Sequence, residues 1–402
     1  MFRPQIKKTR TLLFIALINV LLVVISYNSS NSIKTLAHQP KIDATDKVLE
    51  SYKALNAHSN FAYKDDEDLV SKLSDFYDSG LIGIRTSPIT TKEEVGAQNM
   101  RNSKIACTHP NFSAGIVEEL YSLFEGNVEN KNVAIGMTGS FPGANIAVLA
   151  ACESMGINTV IISSVGSSSW GANRENMSWP EIEDYLYDKN IFDSKSIAYS
   201  FGGENDLGDN LENEGKDKIG KIIFNSEVPL INANSLETSV DERMKYFCEG
   251  LENTWDENLN KCNYENKRYD AYINIGGGVA SIGQGARSNE PGIVGPIDYS
   301  FSNQLTVQIP EEDYNNSVAQ KFLLDEVPLY NIRKINEIAS DWNIYPPEAS
   351  LADQVKKGTL FNIYDQFNSI VIIISFILSF LIITVIGIYS HLQIKKRMQT
   401  NV

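Results

Sequence analysis

Two uninterrupted apolar runs bracket the chain. Thr11–Tyr27 (TLLFIALINVLLVVISY) carries one Asn and no charge, and residues 370–389 (IVIIISFILSFLIITVIGIY) form a longer run, also uncharged. A helix needs about 20 apolar residues to cross the hydrocarbon core of a bilayer, so the second run meets the length and the first sits at its short end. The first reads as an uncleaved signal anchor. A cleaved signal peptide is the competing reading, and Ile25-Ser26-Tyr27-Asn28-Ser29 offers it no clean small-x-small site.

Between the runs the period changes. Residues 28–66 are polar and mixed and read as a stalk with a helix over 46–56. Residues 67–79 set Leu69, Val70, Leu73, Phe76 and Tyr77 at helical spacing, and Gly80 is the glycine that ends such a helix. From 112 onward, helical segments alternate with short apolar runs. Helices are predicted over 112–124, 143–155, 179–189, 212–225, 236–248, 316–325 and 331–342. Strands are predicted at 132–137, 159–163, 196–201, 228–231, 269–275 and 327–330. This alternation predicts an α/β fold: an open, mostly parallel, Rossmann-like sheet with helices on both faces, flanked by N- and C-terminal transmembrane helices. The expected layout is a cytoplasmic tail (1–10), a membrane helix (11–27), the stalk (28–66), one extracytoplasmic domain (67–368), a second membrane helix (369–390) and a cytoplasmic tail (391–402).

Charge sets the orientation. Arg3, Lys7, Lys8 and Arg10 precede the first run, and Lys395, Lys396 and Arg397 follow the second. Short basic flanks stay in the cytoplasm, so both termini are expected inside and the middle outside, in the periplasmic or extracytoplasmic space. Seven of the 35 basic residues lie in those flanks; the other 28 face 50 acidic ones, a formal charge of −22 for the middle. Such a surface argues against nucleic acid as a partner, because that needs clustered Lys and Arg. All four cysteines fall in the exported part, where disulfides persist. Cys248 and Cys262 flank a polar insertion and are the expected bridge. Cys107 and Cys152 sit among apolar residues, where free core thiols are equally consistent.

Candidate chemistry gathers in loops that follow the predicted strands. The first offers Thr138, Gly139, Ser140 and Asn145 at the start of a helix, suited to a carboxylate or phosphate. The second brings Ser167, Ser168, Ser169, Trp170 and Asn173, the third Gly203, Glu204 and Asp206, and the fourth Gly277, Gly278 and Ser281. Glycine after a strand also serves turns of any function, but four such loops at one sheet edge would form a crevice. No nucleotide-binding motif is present, no cofactor is implied, and no Cys/His metal spacing occurs. His38 and His58 lie in the stalk, so a Ser-His-Asp triad would depend on His109. A serine with a lysine base, or Glu204 with Asp206, is the alternative for amide hydrolysis. Glu204, Asp206 and Asp209 could also hold a hard cation. Trp170 and Trp179 flank the second loop, as ligand-stacking or core side chains.

The segment from Val133 to Asn173, which carries GMTGSFPGANIAVLAACESMGINTVIISSVGSSSWGAN, resembles the poly-γ-glutamate system proteins, and so does INIGGGVASIG from Ile273 to Gly283. The likeness runs over most of 71–345 and includes a membrane segment at each end; it is poorest in the stalk and over 248–262. The resemblance implies an accessory membrane protein of poly-γ-glutamate (capsule) synthesis, export or anchoring, partnered with the synthase and export subunits. It carries across no catalytic residue. An enzyme that trims or attaches the polymer, and a non-catalytic scaffold that recruits synthase subunits through its membrane helices, are the alternatives. The −22 charge opposes a polyanion groove, although a local pocket can still take one carboxylate.

Overall fold

The computed structural model describes residues 9–29, 31–58, 81–92, 97–174, 176–284, 292–294, 316–344, 355–365 and 368–399. It divides into two compact units, one of residues 36–361 and one joining 1–35 to 362–402.

The larger unit is built on a six-stranded sheet: β1 (Asn132–Thr138), β2 (Asn158–Ser164), β3 (Ala198–Ser200), β4 (Ala271–Ile275), β5 (Gly292–Val294) and β6 (Leu329–Ile332). Their order across the sheet is β5-β6-β4-β1-β2-β3. The five strands from β6 to β3 run parallel, and β5 pairs antiparallel with β6. Successive residues of one strand enter opposite cores. Val133, Ile135 and Met137 join Ile161, Ile273 and Ile332 on one face, while Ala134, Val160, Ile162, Tyr272 and Leu329 pack on the other. Burial on both faces explains why these strands read as short continuous apolar runs rather than as alternating ones. Residues of helices His38–Ala57, Asn111–Leu123, Pro142–Ser154 and Trp179–Asp188 fill the first core, and residues of Leu236–Gly250 and Val318–Leu324 the second. Local signals set several starts: Ser178 with Glu181, and Ser235 with Thr238, close capping boxes ahead of two of these helices.

The stalk expectation is corrected here. The helix expected over 46–56 runs from His38 to Ala57, and its Ala44, Val48, Tyr52 and Leu55 stripe is buried in the first core. Its Tyr52 hydroxyl donates to the Thr108 carbonyl at 2.8 Å. The compact unit thus begins near Leu36 rather than at 67; buried Lys41, Thr45 and Ser51 interrupt the apolar face, which is why the segment read as polar and mixed. The helix expected over 67–79 lies outside the described residues. At the other end, strand 327–330 and helix 331–342 become β6 and Ile335–Asp341, and the expected strand at 228–231 makes one isolated bridge, from Leu230 to Tyr199. Strand β5 carried no signal in the sequence.

Cys248 and Cys262 are disulfide-bonded, their Cα atoms 5.6 Å apart, and the insertion between them folds back as the antiparallel pair Thr254–Asp256 and Lys261–Asn263. Cys107 and Cys152 are buried free thiols, and burial pushes both up, Cys107 to about 12. Neither is a reactive thiolate.

The smaller unit contains helix Thr9–Tyr27, an antiparallel ribbon of Asn31–Lys34 with Asn362–Asp365, and helix Ser369–Gln399. Among the described residues, one helix, Ser369–Lys396, is long and apolar enough to cross a membrane; the apolar part of the other, Thr11–Tyr27, is shorter. Of the two flanking spans expected, the C-terminal one alone meets the criterion by length and composition.

Candidate functional site

The four loops singled out in the sequence leave the sheet at the same edge and touch one another. After β1, the Gly139 amide donates to Ser164 O at 2.8 Å, and Gly139 O accepts from the Ala172 amide at 2.7 Å and from Ser167 Oγ at 3.0 Å. After β2, the Gly166 amide reaches Phe201 O at 2.9 Å, which ties in the loop after β3. After β4, a Cβ at Gly276 would stand 2.8 Å from Thr138 Cγ2 and 3.3 Å from the Phe141 ring. Parallel sheets gather such loops because every strand ends on the same side.

The loops need glycine for space as much as for conformation. A Cβ at Gly139 would lie 2.5 Å from Val165 O, and one at Gly171 2.7 Å from both Gly139 O and Ser140 O. Gly139→Ala is therefore expected to push the first two loops apart and to lower stability by about 1–3 kcal/mol, the usual range for forced overpacking. A thermal melt checks this, and an unchanged midpoint would contradict the close approach.

Several candidate residues are consumed in holding the loops. Asn173 is buried; its amide group contacts Ile84 N (2.9 Å), Ile84 O (2.7 Å) and Thr90 Oγ1 (3.0 Å). Thr138 Oγ1 accepts from the Ser140 amide, Asn145 Nδ2 donates to Thr138 O, and Ser281 Oγ pairs with Tyr272 Oη in the interior. Ser169 is buried as well. Trp179 is wholly buried, its Nε1 donating to Ser163 Oγ, so it is core and not a stacking platform.

Asp206 is also not a free carboxylate. Arg243, from the helix Leu236–Gly250, grips it through Nε (2.9 Å) and Nη2 (3.0 Å), and Ser200 and Ser239 donate to it at 2.7 and 2.6 Å. The whole cluster is buried. A carboxylate with these four donors has no lone pair left for general-base work, so the Glu204/Asp206 pair and the cation site with Asp209 are corrected. Glu204 is exposed, Asp209 faces Lys216 at 3.6 Å, and no metal-holding cluster occurs among the described residues. His109 is buried with Nδ1 accepting from the Asn111 amide at 3.0 Å, which occupies the nitrogen a triad carboxylate would orient. Burial holds it well below the ordinary histidine range, to about 4, so it stays neutral.

What remains partly open along the edge is Ser140, Ser168, Trp170, Gly203, Gly277 and Gly278. Cations that the sequence did not single out line it. Lys104, at 1% exposure, donates to Ser168 Oγ at 2.8 Å and sits 3.4 Å from the centre of the Phe141 ring. Ser140 Oγ accepts from the Ser168 amide at 3.0 Å, so the two serines and Lys104 form one group. Arg101 lies 5.4 Å from the centre of the Trp170 ring, and its Nε has no partner among the described residues. At the fourth loop, Arg333 Nε would be 3.7 Å from a Cβ at Gly277. Below it, two buried amides face each other across β4 and β6, Asn274 Nδ2 donating to Asn331 Oδ1 at 2.9 Å. A polar residue inside an apolar strand was the sequence signal for this pair; Lys104, in a polar helix, gave none. The edge therefore combines cationic nitrogens, hydroxyls and closely packed backbone amides, a donor set that suits an anion. No protein-family model, curated protein or solved structure matches the chain.

Proposed function

We propose that the protein is a membrane-anchored member of the poly-γ-glutamate system whose α/β unit binds a carboxylate of the polymer, or of a γ-glutamyl precursor, at the loops after β1, β2 and β4. The observation that carries this reading is Lys104, buried and hydrogen-bonded to Ser168 beside the first loop. The strings over 136–173 and 273–283 supply the pathway by resemblance. The strand order reverses between β1 and β4, and ligands of open parallel sheets bind at such a reversal, which supports the reading. Both termini lie in the cytoplasm on this reading, with the larger unit outside, where the Cys248–Cys262 disulfide is stable. Synthase and export subunits are the membrane partners. The acidic exterior repels the polymer at long range, so capture is local, at the few cations of the edge.

Calorimetric titration of the detergent-solubilised protein with a short γ-linked glutamate oligomer tests this. Lys104→Met is expected to weaken binding by roughly 10- to 100-fold, the equivalent of one charge-assisted hydrogen bond. Equal affinity in wild type and variant, or unchanged cell-bound polymer after deletion of the gene, would sink the proposal. The 2.8 Å contact between Lys104 Nζ and Ser168 Oγ favours one second reading, an amide hydrolase or transpeptidase-like enzyme with Ser168 as nucleophile. Polymer incubated with the protein, Ser140→Ala, Ser168→Ala and Glu204→Gln separates the two: unchanged chain length throughout removes the enzyme.

A further inference from the structure

We infer that Asn19 and Ser379 form a polar clasp at the mid-depth of the membrane, which pairs the two terminal helices and retains the N-terminal one in the mature protein as a second anchor. The inference rests on the membrane reading above and goes beyond it in assigning a helix–helix interface. Asn19 is the ninth of the 17 residues in the run Thr11–Tyr27, and Ser379 the tenth of the 20 in 370–389, so each marks the centre of its apolar stretch. Ser379 Oγ donates to Asn19 Oδ1, and Asn19 Nδ2 donates to Ile15 O of its own helix at 2.8 Å.

The register outside the helices agrees. The Asn368 amide donates to Ser29 O at 3.1 Å, beside the ribbon of Asn31–Lys34 with Asn362–Asp365. From that crosslink, Asn19 lies ten residues back and Ser379 eleven residues on. At 1.5 Å per residue these are depths of about 15 and 17 Å. Helices fixed at one end by the ribbon thus bring the two polar groups level without any adjustment. An amide in hydrocarbon without partners is costly, and Asn and Ser are residues that join helices within bilayers. Ser375, one turn before Ser379 on the same face, is buried, and Asn19 and Ser379 are half-buried. Cleavage after the first run would leave Ser379 without this acceptor.

The test uses the full chain with an N-terminal epitope tag, expressed in membranes, carrying Asn19→Cys with Ser379→Cys and, as control, Asn19→Cys with Phe380→Cys, whose native side chain is 63% exposed. After oxidation, the 19–379 disulfide is expected at ten or more times the yield of the control, in a chain of monomer mass that retains its tag. Recovery of the tag in the soluble fraction would overturn both the membrane reading and the clasp. A membrane-bound chain without its tag, a link between two chains, or equal yields in both pairs would overturn the clasp alone.

Discussion

Arg243→Met is expected to destabilise the protein by about 3–5 kcal/mol, the range measured when one partner of a buried ion pair is removed. The loss is large because Asp206 keeps its charge and its burial but loses the bidentate guanidinium, with only the Ser200 and Ser239 hydroxyls left to hold it. Asp206 also sits at φ 64°, a left-handed backbone conformation that the ion pair helps to hold. The double variant Arg243→Met with Asp206→Asn should recover much of the loss, since it removes the stranded charge with a residue that, like Asp, tolerates the left-handed backbone. Urea titrations of wild type, single and double variants in one detergent check this. A single variant as stable as wild type would mean that the pair contributes nothing.

The second expectation concerns pH. Glu183 is buried beneath β3, accepting from Tyr199 Oη at 2.5 Å and Ser196 Oγ at 3.0 Å, and burial raises its carboxyl from 4.5 to about 7. Its protonated form is the one the fold favours. That stability is fully present below about 4.5 and lost as pH rises to 7. His109 works in the opposite sense: burial lowers it from 6.5 to about 4, so its contribution is present above 6.5 and lost as pH falls towards 4. Each shift is worth about 3 kcal/mol in total, with a slope of up to ~1.4 kcal/mol per pH unit. Between pH 4.5 and 6.5 the two slopes oppose each other and largely cancel. Glu183→Gln should therefore reveal a stability that climbs with pH across this window, and His109→Asn one that declines. Denaturation midpoints at half-unit steps decide the matter, and parallel pH profiles for all three proteins would refute it.

The sheet was legible in the sequence because parallel strands buried on both faces leave compact apolar runs, as at 132–137 and 159–163, and the glycines after them mark where loops must pack. The disulfide was legible from the polar insertion between its cysteines. The helix His38–Ala57 was misread as part of a stalk, since polar Lys41, Thr45 and Ser51 share the buried face with Ala44, Val48, Tyr52 and Leu55, and that burial depends on helices far along the chain. The loop roles were misjudged for a related reason. Asp206, Asn173 and Ser281 have the composition of ligand-binding residues, but their partners, Arg243, Ile84 with Thr90, and Tyr272, are distant in the chain or hidden in a strand. Lys104 was missed because a lysine in a polar helix reads as solvated, and only its neighbours Ser168 and Phe141 show that it is not.

The segment beside β3 explains how one border of the sheet ends. Tyr199 exchanges hydrogen bonds with Pro229 O (2.8 Å) and the Ile231 amide (2.7 Å), and the ladder stops after that single bridge. Pro229 has no amide hydrogen to carry the ladder back towards Ile197, so the pairing is limited to this one bridge. A border this short gives another copy little backbone to pair with, so association along this side falls to side chains rather than to strand pairing.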